Sequence, residues 1–234
     1  MAEYFLFKKV KNIMILIKNI YKSYRTINGK KNVLSNVSVT IPSGRSVGLI
    51  GRNGEGKSTL LRLIGGIDYP DKGEIHRNCK VSWPIGLAGG FQGSMTGRQN
   101  VKFIARIHGD GEKVKDIIKY VEEFSEIGEA FDEPVKTYSS GMKARLAFGL
   151  SLSFDFDVYL SDEATAVGDE VFKRKAIKAF KDKVGSASLI MVSHSEGILK
   201  ELCESGLLIS KGQAIWFDKI EDALDLYHEN NLVS

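Results

Sequence analysis

One run constrains this chain more than any other: Gly51-Arg52-Asn53-Gly54-Glu55-Gly56-Lys57-Ser58, a GxxxxGKS loop. The residues before it, Val47-Gly48-Leu49-Ile50, read as a buried strand, and those from Lys57 to Ile64 read as the start of a helix. The loop therefore sits at a helix N-terminus, where peptide dipoles and N–H groups without intrahelical partners favour an anion. Glycines at 51, 54 and 56 let several N–H groups converge, which suits a polyphosphate. In such a loop Lys57 reaches the β- and γ-phosphates and the hydroxyl of Ser58 holds Mg²⁺. The expected nucleotide-binding segment runs from Gly51 to Thr59 with Asn53 inside it, although Arg52 and Glu55 need no role beyond solvent exposure.

A second run supplies the other half of a nucleotide hydrolase. Asp157-Val158-Tyr159-Leu160-Ser161 leads into Asp162-Glu163, an apolar strand ending in two carboxylates. Asp162, at the carboxyl edge of that strand, is placed to coordinate Mg²⁺ directly or through water, and Glu163 points one residue further, toward an attacking water.

With 43% hydrophobic and 26% charged residues among 234, the composition is that of a globular protein and excludes disordered and collagen-like classes. No stretch approaches the roughly 18 apolar residues of a membrane helix, since Asn12 to Ile17 is short and is closed by Lys18. The net charge of +4, from 33 basic and 29 acidic residues, is mild and scattered; it favours an anionic membrane surface or nucleic acid only weakly and reads better as a solvated face, and no concentrated basic patch points to nucleic acid. Residues 1–13 are expected to form an N-terminal extension, because Tyr4 to Phe7 lack the apolar run and cleavage site of a signal peptide. Cys79 and Cys203 have no metal-binding spacing and read as reduced, mostly buried side chains.

Periodicity gives a coarse map. Ile15 to Ile17, Val37 to Ile41 and Val47 to Ile50 look like strands joined by turns, notably at Asn28-Gly29-Lys30-Lys31, so the first third contains an antiparallel portion. From Thr96 to about Ser153 the apolar spacing is helical and reads as an insertion. Strand, helix and strand follow, at Val158 to Leu160, through Phe172, Ile177 and Phe180, and at Leu189 to Val192, which is the parallel α/β unit. Asp222 to Asn230 forms a terminal helix.

Tyr138-Ser139-Ser140-Gly141-Met142, opening a helix, resembles the signature motif of ABC ATPases. The resemblance covers the chain from about Met14 to its end. It implies an α/β fold, a P-loop ABC ATPase with a mixed nucleotide-binding sheet, an antiparallel β subdomain and an inserted helical subdomain at about 96–153, all within an ATPase domain of 14–234. It also implies that Ser139, Ser140 and Gly141 hold the γ-phosphate bound to a second copy, in a head-to-tail dimer that sandwiches ATP. By the same resemblance Ala166-Val167-Gly168-Asp169 is the D-loop and His194 is the switch histidine that contacts the γ-phosphate. Glu163, Lys57 and His194 are then the catalytic residues, and Ser58 and Asp162 the ligands of Mg²⁺. Tyr24 matches the aromatic that stacks on adenine, and a plain core tyrosine fits that position equally well.

The segment from Gly89 to Asn100, the Ser-Ser-Gly-Met signature and the lack of a C-terminal extension look like the ATP-binding subunit of bacterial capsular polysaccharide exporters. That family implies a peripheral protein on the cytoplasmic face of the inner membrane, paired with a multi-span permease that makes most of the contact with the polysaccharide. O-antigen and teichoic acid exporters share much of this pattern, and the motifs also admit a small-solute importer and, with less support, a soluble ABC ATPase. The sequence departs from the family in three places. Gln92 lies downstream of the usual Q-loop position, where Ile85-Gly86-Leu87-Ala88 stand, so it either replaces that glutamine or shapes the surface that receives the membrane partner. Ser140 replaces a common glycine, and Ala164 replaces the proline that often follows the catalytic glutamate.

Overall fold

A computed structural model describes residues 13–27, 29–85, 90–108, 113–162, 169–185 and 187–232. The N-terminal extension expected at 1–13 lies outside them except for Ile13, as do Glu163, most of the D-loop and Gly86 to Gly89. The fold divides into two compact units, one within Met1–Pro84, Phe156–Glu163 and Ala187–Ser234, the other within Ile85–Asp155 and Ala164–Ser186.

The first unit contains two sheets. In the three-stranded one, β1 (Ile13–Thr26) lies between β2 (Gly29–Pro42) and β4 (Lys72–Arg77), antiparallel to both. Alternation places Ile15, Ile17 and Ile20 of β1 and Val37, Val39 and Ile41 of β2 in the core. The register shifts between Ile17 and Ile20, where Asn19 and Asn36 both take positive φ and the amide of Asn19 donates to Asn36 Oδ1 at 3.0 Å. The pairing of β1 with β2 runs to Thr26 and Gly29, so Gly29 to Lys31, expected in the turn, already belong to the strand.

The larger sheet has the order β5-β6-β7-β3-β8-β9, with β3 (Val47–Ile50), β5 (Val81–Ile85), β6 (Val158–Asp162), β7 (Ser188–Val192), β8 (Ser205–Ser210) and β9 (Gln213–Phe217). β6, β7, β3 and β8 run parallel, and β9 closes the edge antiparallel to β8. The continuous burial of Val47–Ile50 and Ser188–Val192 reflects a sheet covered on both faces. Leu60, Leu61, Leu63 and Ile64 of α1 (Lys57–Ile64) pack with Val47 and Leu49 in one core cluster. On the opposite face α6 (Glu196–Leu202) and α7 (Ile220–Leu232) come so close that a Cβ at Gly48 would lie 2.8 Å from Ile220 Cδ1 and 3.1 Å from Leu199 Cδ2. No helix among the described residues is long and apolar enough to cross a membrane.

The second unit is helical, with α2 (Gly97–His108), α3 (Val114–Ser125), α4 (Ser140–Leu152) and α5 (Glu170–Val184). Phe124 sits at its centre, stacked on Phe148 at 6.1 Å and edge-on to Phe172 at 5.6 Å. Lys175 caps the C-terminus of α3, donating to the Phe124 carbonyl at 3.0 Å and pairing with Glu126 at 2.6 Å.

Candidate functional site

The loop at Gly51 is folded by backbone geometry. Gly51, Gly54 and Gly56 have φ of +151°, +81° and +106°, and a Cβ on Gly51 would lie 2.3 Å from the Ile209 carbonyl. Gly56 is the N-cap of α1 and offers no side-chain cap, so the first-turn N–H groups remain suited to an anion. Buried Lys57 folds back over the loop, its Nζ donating to the carbonyls of Gly51 at 2.6 Å and Arg52 at 3.0 Å.

Three neighbouring parallel strands bring the remaining groups to the same edge. Asp162 ends β6, His194 lies two residues past β7, and the glycine loop follows β3. Open α/β sheets bind ligands at the carboxyl ends of their strands. Ser58 Oγ lies 3.2 Å from Asp162 Oδ1, which unites the two expected metal ligands across 104 residues of sequence. A hydroxyl and a carboxylate are hard oxygen donors that fit Mg²⁺, an ion that keeps most of its shell as water and phosphate oxygens. Among the described residues no group of three or more His, Cys, Asp and Glu gathers to cage a metal by itself. His194 is exposed, and the backbone beside it is fixed by a Ser195 N–H to Ser193 Oγ bond of 3.1 Å. Glu163, expected to face the attacking water, lies just beyond the described strand.

Tyr24, near the end of β1, is half-buried and held by its hydroxyl, which donates to Asp68 Oδ2 at 2.7 Å. Asp68, just beyond α1, also receives Lys22 Nζ on Oδ1 at 2.6 Å, and Lys22 lies 5.1 Å from the Tyr24 ring centroid. Burial alone would raise the Asp68 carboxyl, but hydrogen bonds from Lys22 and Tyr24 outweigh it and hold it below the usual carboxylate range. Burial likewise pulls Lys22 down, and its contact with Asp68 more than reverses that. Sequence reasoning did not single out Asp68, whose partners lie 44 and 46 residues away. Arg77 was missed too. From the end of β4 it donates Nε to the Ile64 carbonyl at 2.6 Å, which caps the helix that begins at the loop.

In the helical unit Ser139 is the N-cap of α4, and its hydroxyl accepts from the Met142 N–H at 3.2 Å. Ser140 and Gly141 open the helix, and a Cβ at Gly141 would find nothing nearer than Ser139 Oγ at 3.9 Å. Asp169, the described end of the D-loop, caps α5 by accepting from Phe172 and Val171 and pairs with Arg145 at 2.7 Å. Those bonds, the Phe172 N–H first, hold its carboxyl below the ordinary range. The Gln92 side chain donates to Ser94 at 3.2 Å. Buried Asn100 organises this turn, accepting from the Gln92 N–H at 2.7 Å and donating to the carbonyls of Gln92 and Thr96.

Comparison with known proteins identifies the family. A family profile described as "ABC transporter" matches residues 34–166. The polysialic acid transport ATP-binding protein KpsT of Escherichia coli is 53% identical over 92% of this chain and 96% of its own. The capsule polysaccharide export ATP-binding protein CtrD of Neisseria meningitidis serogroup B is 45% identical over 92% and 99%. Among solved structures, a dimeric post-hydrolysis state of an ATP-binding cassette bound to ADP and Pi superposes with a TM-score of 0.69 at 21% identity, covering 86% of this chain and 96% of that one. With the profile spanning more than half of its length and such relatives along nearly all of it, the chain belongs to the ABC transporter family and is an ATP-hydrolysing, ATP-binding cassette.

Proposed function

We propose that this protein energises export of a capsular polysaccharide, as a peripheral subunit on the cytoplasmic face of the bacterial inner membrane beneath a multi-span permease. The observation that carries the reading is the 53% identity to a polysialic acid transport ATP-binding protein along nearly the whole of both chains.

Two copies close head to tail, each glycine loop facing the other's Ser139-Ser140-Gly141 helix start. ATP enters at the carboxyl edge of β3, β6 and β7. Lys57 exchanges the Gly51 and Arg52 carbonyls for the β- and γ-phosphates, and the N–H groups from Gly54 to Thr59 wrap the phosphate chain. Ser58 and Asp162 hold Mg²⁺, which when bound neutralises charge on the phosphates. Glu163 takes the proton of the attacking water and His194 contacts the γ-phosphate as charge develops there. Tyr24, held by Asp68, offers its ring to adenine. Hydrolysis reopens the pair and moves the permease.

The test is purification of a tagged E163Q variant from solubilised native membranes with ATP present. A stoichiometric multi-span membrane protein, together with loss of surface polysaccharide in a deletion strain, is the expected result. Ribosomal or DNA-repair proteins in its place would refute the export role and leave the hydrolytic chemistry standing.

A further inference from the structure

The helical unit carries a cleft that the nucleotide chemistry does not use. Between α2 and α3 lies a groove of about 650 Å³ lined by Arg98, Lys102, Arg106, Lys115, Lys119 and Glu122. Five cations face one carboxylate, and Val114 and Ile118 supply apolar lining. Arg98 is already committed, forked onto Glu122 and Asp132 and lying over the Phe131 ring at 4.8 Å. Lys119 approaches Glu123 only at 4.0 Å, with both side chains well exposed, a pairing worth little. Lys102, Arg106 and Lys115 have no ion pair among the described residues; Asp110 and Glu112, in the connection between the helices, lie outside those residues. Beside the cations, Phe103 and Ile107 stand one helical turn apart and are 57% and 59% exposed.

We propose that this face of the helical unit docks on the anionic phospholipid surface of the membrane. Lys102, Arg106, Lys115 and Lys119 engage headgroup phosphates, and Phe103 and Ile107 enter the interface. A cationic groove flanked by large exposed apolar side chains has the composition of a membrane-surface contact. An acidic saccharide or a nucleic acid would use the charges and leave the Phe103 and Ile107 ridge without a purpose. The face shares no residue with Gly51 to Thr59 or with Ser139 to Gly141, so the inference stands apart from the hydrolytic reading.

The test is co-sedimentation of the full chain with vesicles containing phosphatidylglycerol and, separately, with pure phosphatidylcholine vesicles, with ATP hydrolysis measured on the same preparations. Binding is expected to the first alone and to weaken with salt. Each basic residue near an anionic surface contributes about fivefold, so the triple variant K102Q/R106Q/K119Q should bind about a hundredfold more weakly. F103S should also bind more weakly, and both variants should keep the parent ATPase rate. Should the triple variant fail to fold, K102E alone carries the same comparison. No sedimentation with phosphatidylglycerol vesicles, or undiminished binding by the variants, overturns the proposal. So does binding of soluble oligosialic acid that needs the same cations while vesicles are ignored.

Discussion

The helix that starts after Gly56 and the helix that starts after Ser139 use one physical device under opposite local conditions. The first begins at a glycine in the left-handed region that offers no side-chain acceptor, so its first turn is suited to an outside anion. It is also framed by buried β3 and backed by the Ser58 and Asp162 pair. The second begins at an exposed serine that caps its own helix through the Met142 N–H. One terminus leaves its first-turn N–H groups to an outside anion, and the other satisfies one of them with its own hydroxyl. On the function proposed above, the two then have unequal energetic roles, affinity for nucleotide at the first and closure of a dimer at the second.

The largest effect expected leaves both termini intact. E163Q should bind ATP and form an ATP-dependent dimer on gel filtration while turnover falls by about 10²- to 10⁴-fold, the usual contribution of a positioned acid–base group. A variant that hydrolyses ATP at the parent rate removes Glu163 from this role. The next prediction breaks one side only. K57A should weaken ATP binding to the monomer by at least about tenfold, since a charge-assisted contact to phosphate is worth about 1.5–3 kcal/mol; isothermal titration reads it directly. S139A should leave monomer affinity unchanged, cost about 1 kcal/mol of stability through the lost cap, and abolish the ATP-dependent dimer of an E163Q background. S139G should restore most of the stability and none of the dimer. If S139A weakened ATP binding to the monomer, the division of labour between the two helix starts would be wrong.

How much of this was legible in sequence follows the range of the interactions. The glycine loop, the strand leading into Asp162 and the helical run from Thr96 are local patterns, and they stand in the fold where the sequence places them. The lower reach of β1 was not legible, because a bulge at Asn19 and polar residues from Lys22 to Thr26 interrupt its alternation, and pairing with β2 carries it on. β8 and β9 went unassigned although a signal was present, a two-residue turn at Lys211-Gly212 between apolar runs, with φ of +49° and +77°. Neither Asp68 beneath Tyr24 nor Arg77 on the end of α1 belongs to a short-range pattern. Asp68 meets a strand 44 residues upstream, and Arg77 reaches back 13 residues from β4 to a helix end.

The smallest effect expected concerns Tyr24, proposed above to offer its ring to adenine, which is held by a side-chain network instead of a backbone cradle. D68N removes the charge that holds Lys22 and weakens the acceptor for the Tyr24 hydroxyl while leaving the glycine loop untouched. Affinity for ATP should fall a few-fold, in keeping with a lost hydrogen bond worth about 1 kcal/mol, and affinity for inorganic triphosphate should not change. Equal loss for both ligands would place the effect in the phosphate loop and detach Tyr24 from the base. The same pair has a pH signature. The Asp68 carboxyl is depressed in the folded chain, so its stabilisation is present above the unfolded value of about 3.9 and is lost as pH falls through the lower folded value. Lys22 is raised, so its share is present below about 10.4 and is lost as pH rises through the higher folded value. The difference in thermal midpoint between the parent and D68N should therefore be flat across neutral pH and shrink toward both extremes. A difference that persisted undiminished in acid would mean that Asp68 acts through packing, and that Tyr24 is held by shape and not by charge.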